Sequence, residues 1–371
     1  MTSREQVAAI QSCITNSLNP SLIGNKQIAG IVGDAPSRYS KSPALWNAAF
    51  NHLGINAIYL PFDVAESRIE DLIATLKGID SFLGINVTVP YKIRIMDVLD
   101  DIEETANRIH AVNTIVRTSS GNLIGYNTDG QGFIESLLMP FSEETEPFMH
   151  SLEKTDVLLL GAGGSARAVA FHLSDMLNEG QLVIANRTLA HAVSLSSDLQ
   201  KKAGKVKAID ETEVGAWARK VGLIINSTTK GQGGLRKLPN GNLITLEPYS
   251  SLASAHPTSI PQTDFDDPYN RQKWLRAAQA DIDANNQASM TLARSLPQKV
   301  RFYDLIYHPE ESIFLRHGRL SGHQSQNGKA MIVCQAVIAL CRHICKQHLI
   351  ESGKDDAATY RAVRQIMAAN W

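Results

Sequence analysis

The sequence predicts an α/β fold in two domains, and three observations predict it. Short β-type runs alternate with helix-period segments between residues 27 and 130, the pattern of a mostly parallel sheet. A strand-type segment at 156–160, apolar without a break after Asp156 as expected of a strand buried on both faces, feeds Gly161-Ala162-Gly163-Gly164-Ser165-Ala166 and then a helix. The chain has 371 residues, about two domains' worth.

Taken in order, residues 1–26 read as an N-terminal helical extension. Thr2-Ser3-Arg4-Glu5 has the form of a helix cap, and Val7, Ile10 and Ile14 follow at helical spacing. Residues 27–32 make a β-type run that stops at Gly33. The spacing then predicts a helix over 43–53, a strand over 57–62, and a helix over 67–76 with Ile69, Leu72 and Ile73 on one face. A strand at 82–88 leads to a helical segment at 92–99, and 112–117 and 124–126 are short strands. An acidic, poorly periodic stretch at 142–154 separates this unit from the next. There the run at 156–160 and a helix through His172 are followed by strands at 182–185, 206–209 and 223–226, with a helix over 190–201. Residues 237–297 break the rhythm: rich in Pro, Ser, Asn, Gln and Asp, they read as a long insertion, partly loop, with one helical piece near 270–280. Regular patterning returns at 300–307, and 328–344 and 359–369 are closing helices.

Composition narrows the function classes. A 43% apolar, 20% charged chain can bury a sizeable core. Formal net charge is -1, so no global field draws it to nucleic acid or an anionic membrane. The N-terminal segment carries Arg4 and Glu5 and lacks the long apolar core of a secretory signal. The most apolar stretch, 330–341, is too short to span a bilayer. Cys13, Cys334, Cys341 and Cys345 form no CxxC pair and no zinc-type cluster, so they read as buried thiols of a cytoplasmic protein, with no metal expected.

The segment from Gly161 to Ala166 is GxGxxA, set between a buried-type strand and a helix. Gly161 permits the tight turn, Gly163 lets backbone approach a pyrophosphate, and small Ala166 lets the helix pack closely on the sheet. The helix N-terminus offers free N–H groups and partial positive charge to phosphates. An NAD site usually places an acid about twenty residues further on. Here the second strand ends in Ala185-Asn186-Arg187-Thr188, with no acid, and a guanidinium pairs well with a 2′-phosphate. That favours NADP.

Several polar residues lie where a core pattern does not want them. Ser40 and Ser42, just before Pro43, either cap a helix or bind a carboxylate together. Asn86 and Thr88 share one face of a strand that Pro90 ends, and Lys92 opens the next helix. A lysine there is either a solvated charge or a general acid/base beside a substrate hydroxyl. Asn113 and Asp129 stand at strand ends, where open α/β sheets place ligands.

Together these segments resemble the shikimate dehydrogenase family over about residues 27–345. The resemblance rests on Ser40-Lys41-Ser42-Pro43, Gly84-Ile85-Asn86-Val87-Thr88-Val89-Pro90-Tyr91-Lys92, Ala111-Val112-Asn113-Thr114 and Asn127-Thr128-Asp129. It continues, in the family's order, with the GxGxxA loop, Asn186-Arg187-Thr188, Asn226-Ser227-Thr228, Asp304-Leu305-Ile306-Tyr307, Asn327-Gly328-Lys329-Ala330-Met331 and Gln335. It implies NADPH-dependent reduction of 3-dehydroshikimate to shikimate in aromatic amino-acid biosynthesis. It also implies an N-terminal α/β substrate domain (27–130) and a Rossmann NADP-binding domain (131–327), facing each other across a cleft. The closing helices (328–371) would return to the substrate domain.

By the same resemblance Lys92 is the proton donor and acceptor, with Asp129 beside it. Ser40, Ser42 and Tyr307 hold the carboxylate, and Asn86, Thr88, Asn113, Asp129 and Gln335 hold ring hydroxyls. Gly161, Gly163, Gly164, Ser165, Ala166, Asn186, Arg187, Thr188, Ser227 and Thr228 bind the cofactor, with Leu305 and Gly328 on the nicotinamide side. Two departures stand out: Tyr39 occupies a position where the family often has His, and His191 is nearest to where a second arginine often follows Asn-Arg-Thr. Two alternatives remain: a quinate/shikimate dehydrogenase using NAD or NADP, and a non-catalytic metabolite-binding homologue. A monomer or homodimer is expected.

Overall fold

A computed structural model describes residues 2–141, 144–200, 205–238, 240–261 and 267–371. Residues 1, 142–143, 201–204, 239 and 262–266, which belong to the expected extension, linker, helix and insertion, lie outside the described residues. The chain divides into two compact units, Met1–Pro147 with Ala330–Trp371, and Phe148–Lys329.

The first unit is built on six strands: β1 (Gln27–Gly33), β2 (Ala57–Asp63), β3 (Phe82–Val87), β4 (Asp101–Ile102), β5 (Thr114–Arg117) and β6 (Leu123–Tyr126). Their order is β2-β1-β3-β5-β6-β4, with β2, β1 and β3 parallel and β5 antiparallel to both β3 and β6. The sheet carries apolar side chains on both faces. One face packs on Leu72, Ile73 and Leu76 of the helix Ile69–Lys77, whose apolar spacing the sequence shows. The other packs on Trp46 and Phe50 of Ser42–Leu53 and on Val333, Val337, Val363 and Met367 of the closing helices Lys329–Ile338 and Ala357–Ala369. Burying these faces is what holds the discontinuous C-terminal segment to the N-terminal sheet.

The second unit has strands β7 (Val157–Leu160), β8 (Leu182–Asn186), β9 (Val206–Asp210), β10 (Leu223–Asn226), a short hairpin β11 (Leu235–Lys237) and β12 (Leu243–Thr245), then β13 (Arg301–Asp304) and β14 (Ser325–Gln326). The main sheet runs β14-β13-β10-β7-β8-β9, parallel throughout, as the uninterrupted apolar runs require. Strand order reverses between β7 and β10, and an open α/β sheet leaves its binding crevice beyond the carboxyl ends at such a point.

Three local expectations change. Lys92 does not open a regular helix: it sits in a turn before a short 3-10 segment, Arg94–Val98, where helical 92–99 was expected. Asp129 is the first residue of a helix, Asp129–Leu138, that the sequence reading leaves out. In 237–297 the helix is 28 residues long, Pro268–Ser295, not a short piece near 270–280. Its buried positions include Asn285 and Ser289 beside Trp274, Ala278 and Ala293, so its inner face is too polar to show the usual apolar stripe.

The helices Asp129–Leu138 and Lys329–Ile338 meet at Gly132. A Cβ there would stand 2.6 Å from the backbone nitrogen and Cβ of Gln335, so only glycine allows this approach. Gly132→Ala is expected to lower unfolding free energy by about 1–3 kcal/mol, the cost of overpacking, measured by urea denaturation.

Candidate active site

The polar residues of the first unit converge on Asp129. Two loops are stitched together first: the Asn127 amide donates to the Ala111 carbonyl (3.0 Å), and its Oδ1 accepts the Asp129 N–H (3.1 Å). The Lys92 carbonyl accepts the N–H of Val112 (2.8 Å), tying its turn to the same loop. The side chains then line up as one directed chain of hydrogen bonds. Tyr59 Oη donates to Asn86 Oδ1 (2.7 Å), Asn86 Nδ2 to Thr114 Oγ1 (3.0 Å), and Thr114 Oγ1 to Asn113 Oδ1 (3.0 Å). Asn113 Nδ2 donates to Asp129 Oδ1 (2.8 Å), and Lys92 Nζ lies 2.5 Å from Asp129 Oδ2. The Asp129 side chain is 9% exposed and that of Lys92 26%, so the carboxylate is buried and the lysine partly so. Gln335, from the closing helix, accepts from Thr128 Oγ1 (3.2 Å) and Asn113 Nδ2 (3.4 Å).

Lys92, Asp129, Asn113, Asn86 and Gln335 are thus brought together. Tyr59, Thr114 and Thr128 complete the network and escape the sequence reading. A hydroxyl on a strand as buried as β2 needs a partner, and that is the signal Tyr59 offers. Burial holds the Tyr59 phenol far above its ordinary pKa. Ser42 is buried with its hydroxyl beside that of Tyr59, while Ser40 Oγ accepts the Ser42 N–H (3.2 Å). Ser40 thus makes a local turn contact with Ser42, while the Ser42 hydroxyl lies against the network. Thr88 is half-buried against Gly33; neither it nor Ser40 hydrogen-bonds to the Lys92–Asp129 pair among the described residues. Tyr39 is exposed and donates to Asp34 Oδ1 (3.0 Å).

In the second unit, Gly161 adopts φ +110°, the left-handed region that turns the chain after β7. A Cβ there would stand 2.6 Å from Ser227 Oγ, whose hydroxyl donates to the Leu160 carbonyl (2.7 Å). Around Gly163 and Gly164 a Cβ would meet open space, just before the helix Gly164–Met176, with Ser165 in its first turn and Ala166 buried beneath it. Bare backbone N–H groups at an open helix start fit a pyrophosphate. A pocket of about 270 Å³ lies beside the loop, lined by Asn186, Arg187, Thr188, His191, Thr228 and Arg236 among others. Thr228 is fixed by Asn226, whose Oδ1 accepts its N–H (3.0 Å) and hydroxyl (2.7 Å). Leu305 and Gly328 touch: a Cβ on Gly328 would stand 2.2 Å from the Leu305 carbonyl oxygen. Tyr307 is half-buried in this unit, its pKa raised by burial.

A strand–GxGxxA–helix unit on an all-parallel sheet, with a lysine–aspartate pair in a second α/β unit, defines the class of dinucleotide-dependent α/β enzymes. The comparisons are narrower. Residues 31–115 match the profile of the shikimate dehydrogenase substrate binding domain, and residues 143–237 that of shikimate / quinate 5-dehydrogenase. The shikimate dehydrogenase (NADP(+)) of Carboxydothermus hydrogenoformans is 35% identical over 316 residues, 85% of this chain and 91% of that protein. That of Symbiobacterium thermophilum is 34% identical over 85% of this chain and 88% of its own. A crystal structure of a shikimate dehydrogenase in complex with NADP+ superposes with a TM-score of 0.66 at 26% identity, covering 96% of this chain and 98% of that one. The chain belongs to the shikimate dehydrogenase family.

Asp304 is a fully buried acid of the second unit. Asp304 accepts from Ser312 Oγ (2.5 Å), Asn226 Nδ2 (2.9 Å) and the Ile306 N–H (2.9 Å), yet burial pushes its pKa up to about 7. A carboxyl raised in the folded state binds a proton that the unfolded chain has lost, so stability falls as pH rises from about 4 to about 7. The stability difference between the protein and Asp304→Asn is therefore expected to shrink over that window and level off above it. Urea denaturation at pH 5 and pH 8 checks the sign.

Proposed function

We infer that this chain is an NADP-dependent shikimate dehydrogenase, which reduces 3-dehydroshikimate reversibly to shikimate on the route to chorismate and the aromatic amino acids. The observation that carries the reading is the Lys92–Asp129 pair, 2.5 Å apart, at the end of a fixed chain of amide and hydroxyl groups. Reduction of a carbonyl builds negative charge on its oxygen, and a cation beside that oxygen stabilises it. NADPH, when bound, supplies the hydride. Lys92 holds a proton at Nζ, gives it to the oxygen as the hydroxyl forms, and takes it back in the reverse direction. Asp129 orients the ammonium and accepts from a ring hydroxyl.

Asn86, Thr88, Asn113 and Gln335 take the other hydroxyls, each offering both donor and acceptor. Ser40, Ser42 and Tyr307 take the carboxylate. Gly161, Gly163, Gly164, Ser165 and Ala166 cradle the pyrophosphate, while Asn186, Arg187 and Thr188 take the adenosine ribose and its 2′-phosphate. Ser227 and Thr228 complete the cofactor site, with Leu305 and Gly328 on the nicotinamide side. A non-catalytic homologue has no use for the lysine–aspartate pair. A cytoplasmic location is part of the proposal, supported by four free, buried thiols. So is a monomer or homodimer.

Nicotinamide absorbance assays with shikimate and quinate, each with NADP+ and NAD+, test the reading. The largest kcat/KM is expected for shikimate with NADP+; a quinate-to-shikimate ratio above one overturns the substrate. Lys92→Ala is expected to lower kcat by roughly 10²–10⁴-fold, and a loss below about tenfold removes Lys92 from proton transfer. Arg187→Ala is expected to weaken NADP+ far more than NAD+, measured as Kd for each; equal effects make Arg187 a surface charge.

A further inference from the structure

The pocket beside β8 has a wall that comes from outside the strand–helix repeat. On one side stand Arg187 and His191, after β8; the rest of the lining includes Thr229, Lys230 and Arg236, the last on the β11–β12 hairpin, and Pro257 further along the chain. The cations differ in how they are used. Lys230 forms an ion pair with Glu211 and donates to the Ala253 carbonyl (3.0 Å), so its charge is already neutralised. Arg187 and Arg236 have no carboxylate partner among the described residues, and both are exposed. Arg236 is nevertheless held at the pocket: its Nη1 donates to the hydroxyl of Thr229, another lining residue.

Two guanidinium groups from separate segments, fronting one pocket, repel each other unless an anion sits between them. We propose that Arg236 is a second cation for the cofactor's 2′-phosphate, acting with Arg187. The proposal rests on the NADP reading above. A phosphate monoester carries about -1.5 to -2 charges at neutral pH and offers three acceptor oxygens, enough for two forked donors. The hairpin thus brings a further positive charge to the pocket that Arg187 and His191 line, from a distant part of the chain. Arg236 thereby becomes a determinant of NADP over NAD.

Calorimetric titration with 2′,5′-ADP and 5′-AMP separates the terms, since the two differ by the 2′-phosphate alone. The unaltered protein is expected to bind 2′,5′-ADP more tightly. Absence of that preference overturns the NADP reading itself. Arg236→Ala is expected to weaken 2′,5′-ADP about tenfold or more while changing 5′-AMP less than about twofold, one charge-assisted contact being worth roughly tenfold or more. Arg236→Gln keeps a donor for Thr229 but loses the charge, and it should show the same selective loss. An unchanged 2′,5′-ADP affinity in both variants overturns the role of Arg236 and leaves the NADP reading standing. Equal weakening of both nucleotides overturns it too, by making Arg236 a piece of wall.

Discussion

The side-chain amide of Asn113 is the constraint on which the first unit's buried polar network depends. It is buried at the start of β5, and both ends of its amide are engaged. Its oxygen accepts from Thr114 Oγ1 (3.0 Å) and from the Thr128 N–H (2.9 Å); its nitrogen donates to Asp129 Oδ1 (2.8 Å). The first pair fixes which way the amide points, and that orientation presents a donor to the carboxylate. With one oxygen of Asp129 so held, the other faces Lys92. A pair fixed this way is held in one geometry before any ligand binds. Replacing Asn113 by an apolar residue would leave a buried carboxylate oxygen short of a donor, a loss larger than that of a neutral hydrogen bond.

The second unit uses the same device at its own strand ends. Asn226, fully buried at the end of β10, donates from Nδ2 to Asp304 at the end of β13 and accepts the Thr228 N–H at Oδ1. Neighbouring parallel strands are thereby joined where their hydrogen-bond ladder stops, and the loop after β10 is held in shape. Buried polar groups of this kind are costly unless every one is paired. Here the pairing falls at the crevice-forming ends of the strands, while the strand interiors remain apolar.

Much of this was legible in the sequence, and the reasons differ by residue. The strands at β1, β3, β7 and β8 were readable because burial on two faces leaves long apolar runs. The GxGxxA loop was readable because backbone geometry restricts residue choice at each position. Lys92, Asp129, Asn113 and Asn86 stood out as polar residues at strand ends. Tyr59 and Thr114 were hidden for the opposite reason: aromatic and β-branched residues are expected in strands, and nothing local marks a hydroxyl as part of a network. Their role comes from registry between β2, β3 and β5, which is a tertiary fact. Arg236 was hidden because its neighbours in the pocket, at 186–191, lie far from it in sequence.

The long helix Pro268–Ser295 shows why a polar segment need not be a loop. Asp267 caps it, accepting the Tyr269 N–H, and Pro268 occupies its first turn, where a missing N–H costs nothing. Hydrogen bonds add to the apolar packing of Trp274, Ala278 and Ala293 in attaching it to the unit. Asn285 Oδ1 accepts the Ser250 N–H (2.8 Å), and its Nδ2 reaches the carbonyls of Ser250, Ala253 and Ser254 at 3.0–3.1 Å. Ser289 adds a bond to Ser250 Oγ (2.7 Å) and meets His317 Nδ1 (2.8 Å). These contacts clamp the irregular chain at 250–254, and Ser251 and Ala255 line the pocket beside β8. An apolar helix face would bury area but could not satisfy the backbone carbonyls of a loop. The polar inner face can, and by satisfying them it lets an irregular segment serve as a fixed wall.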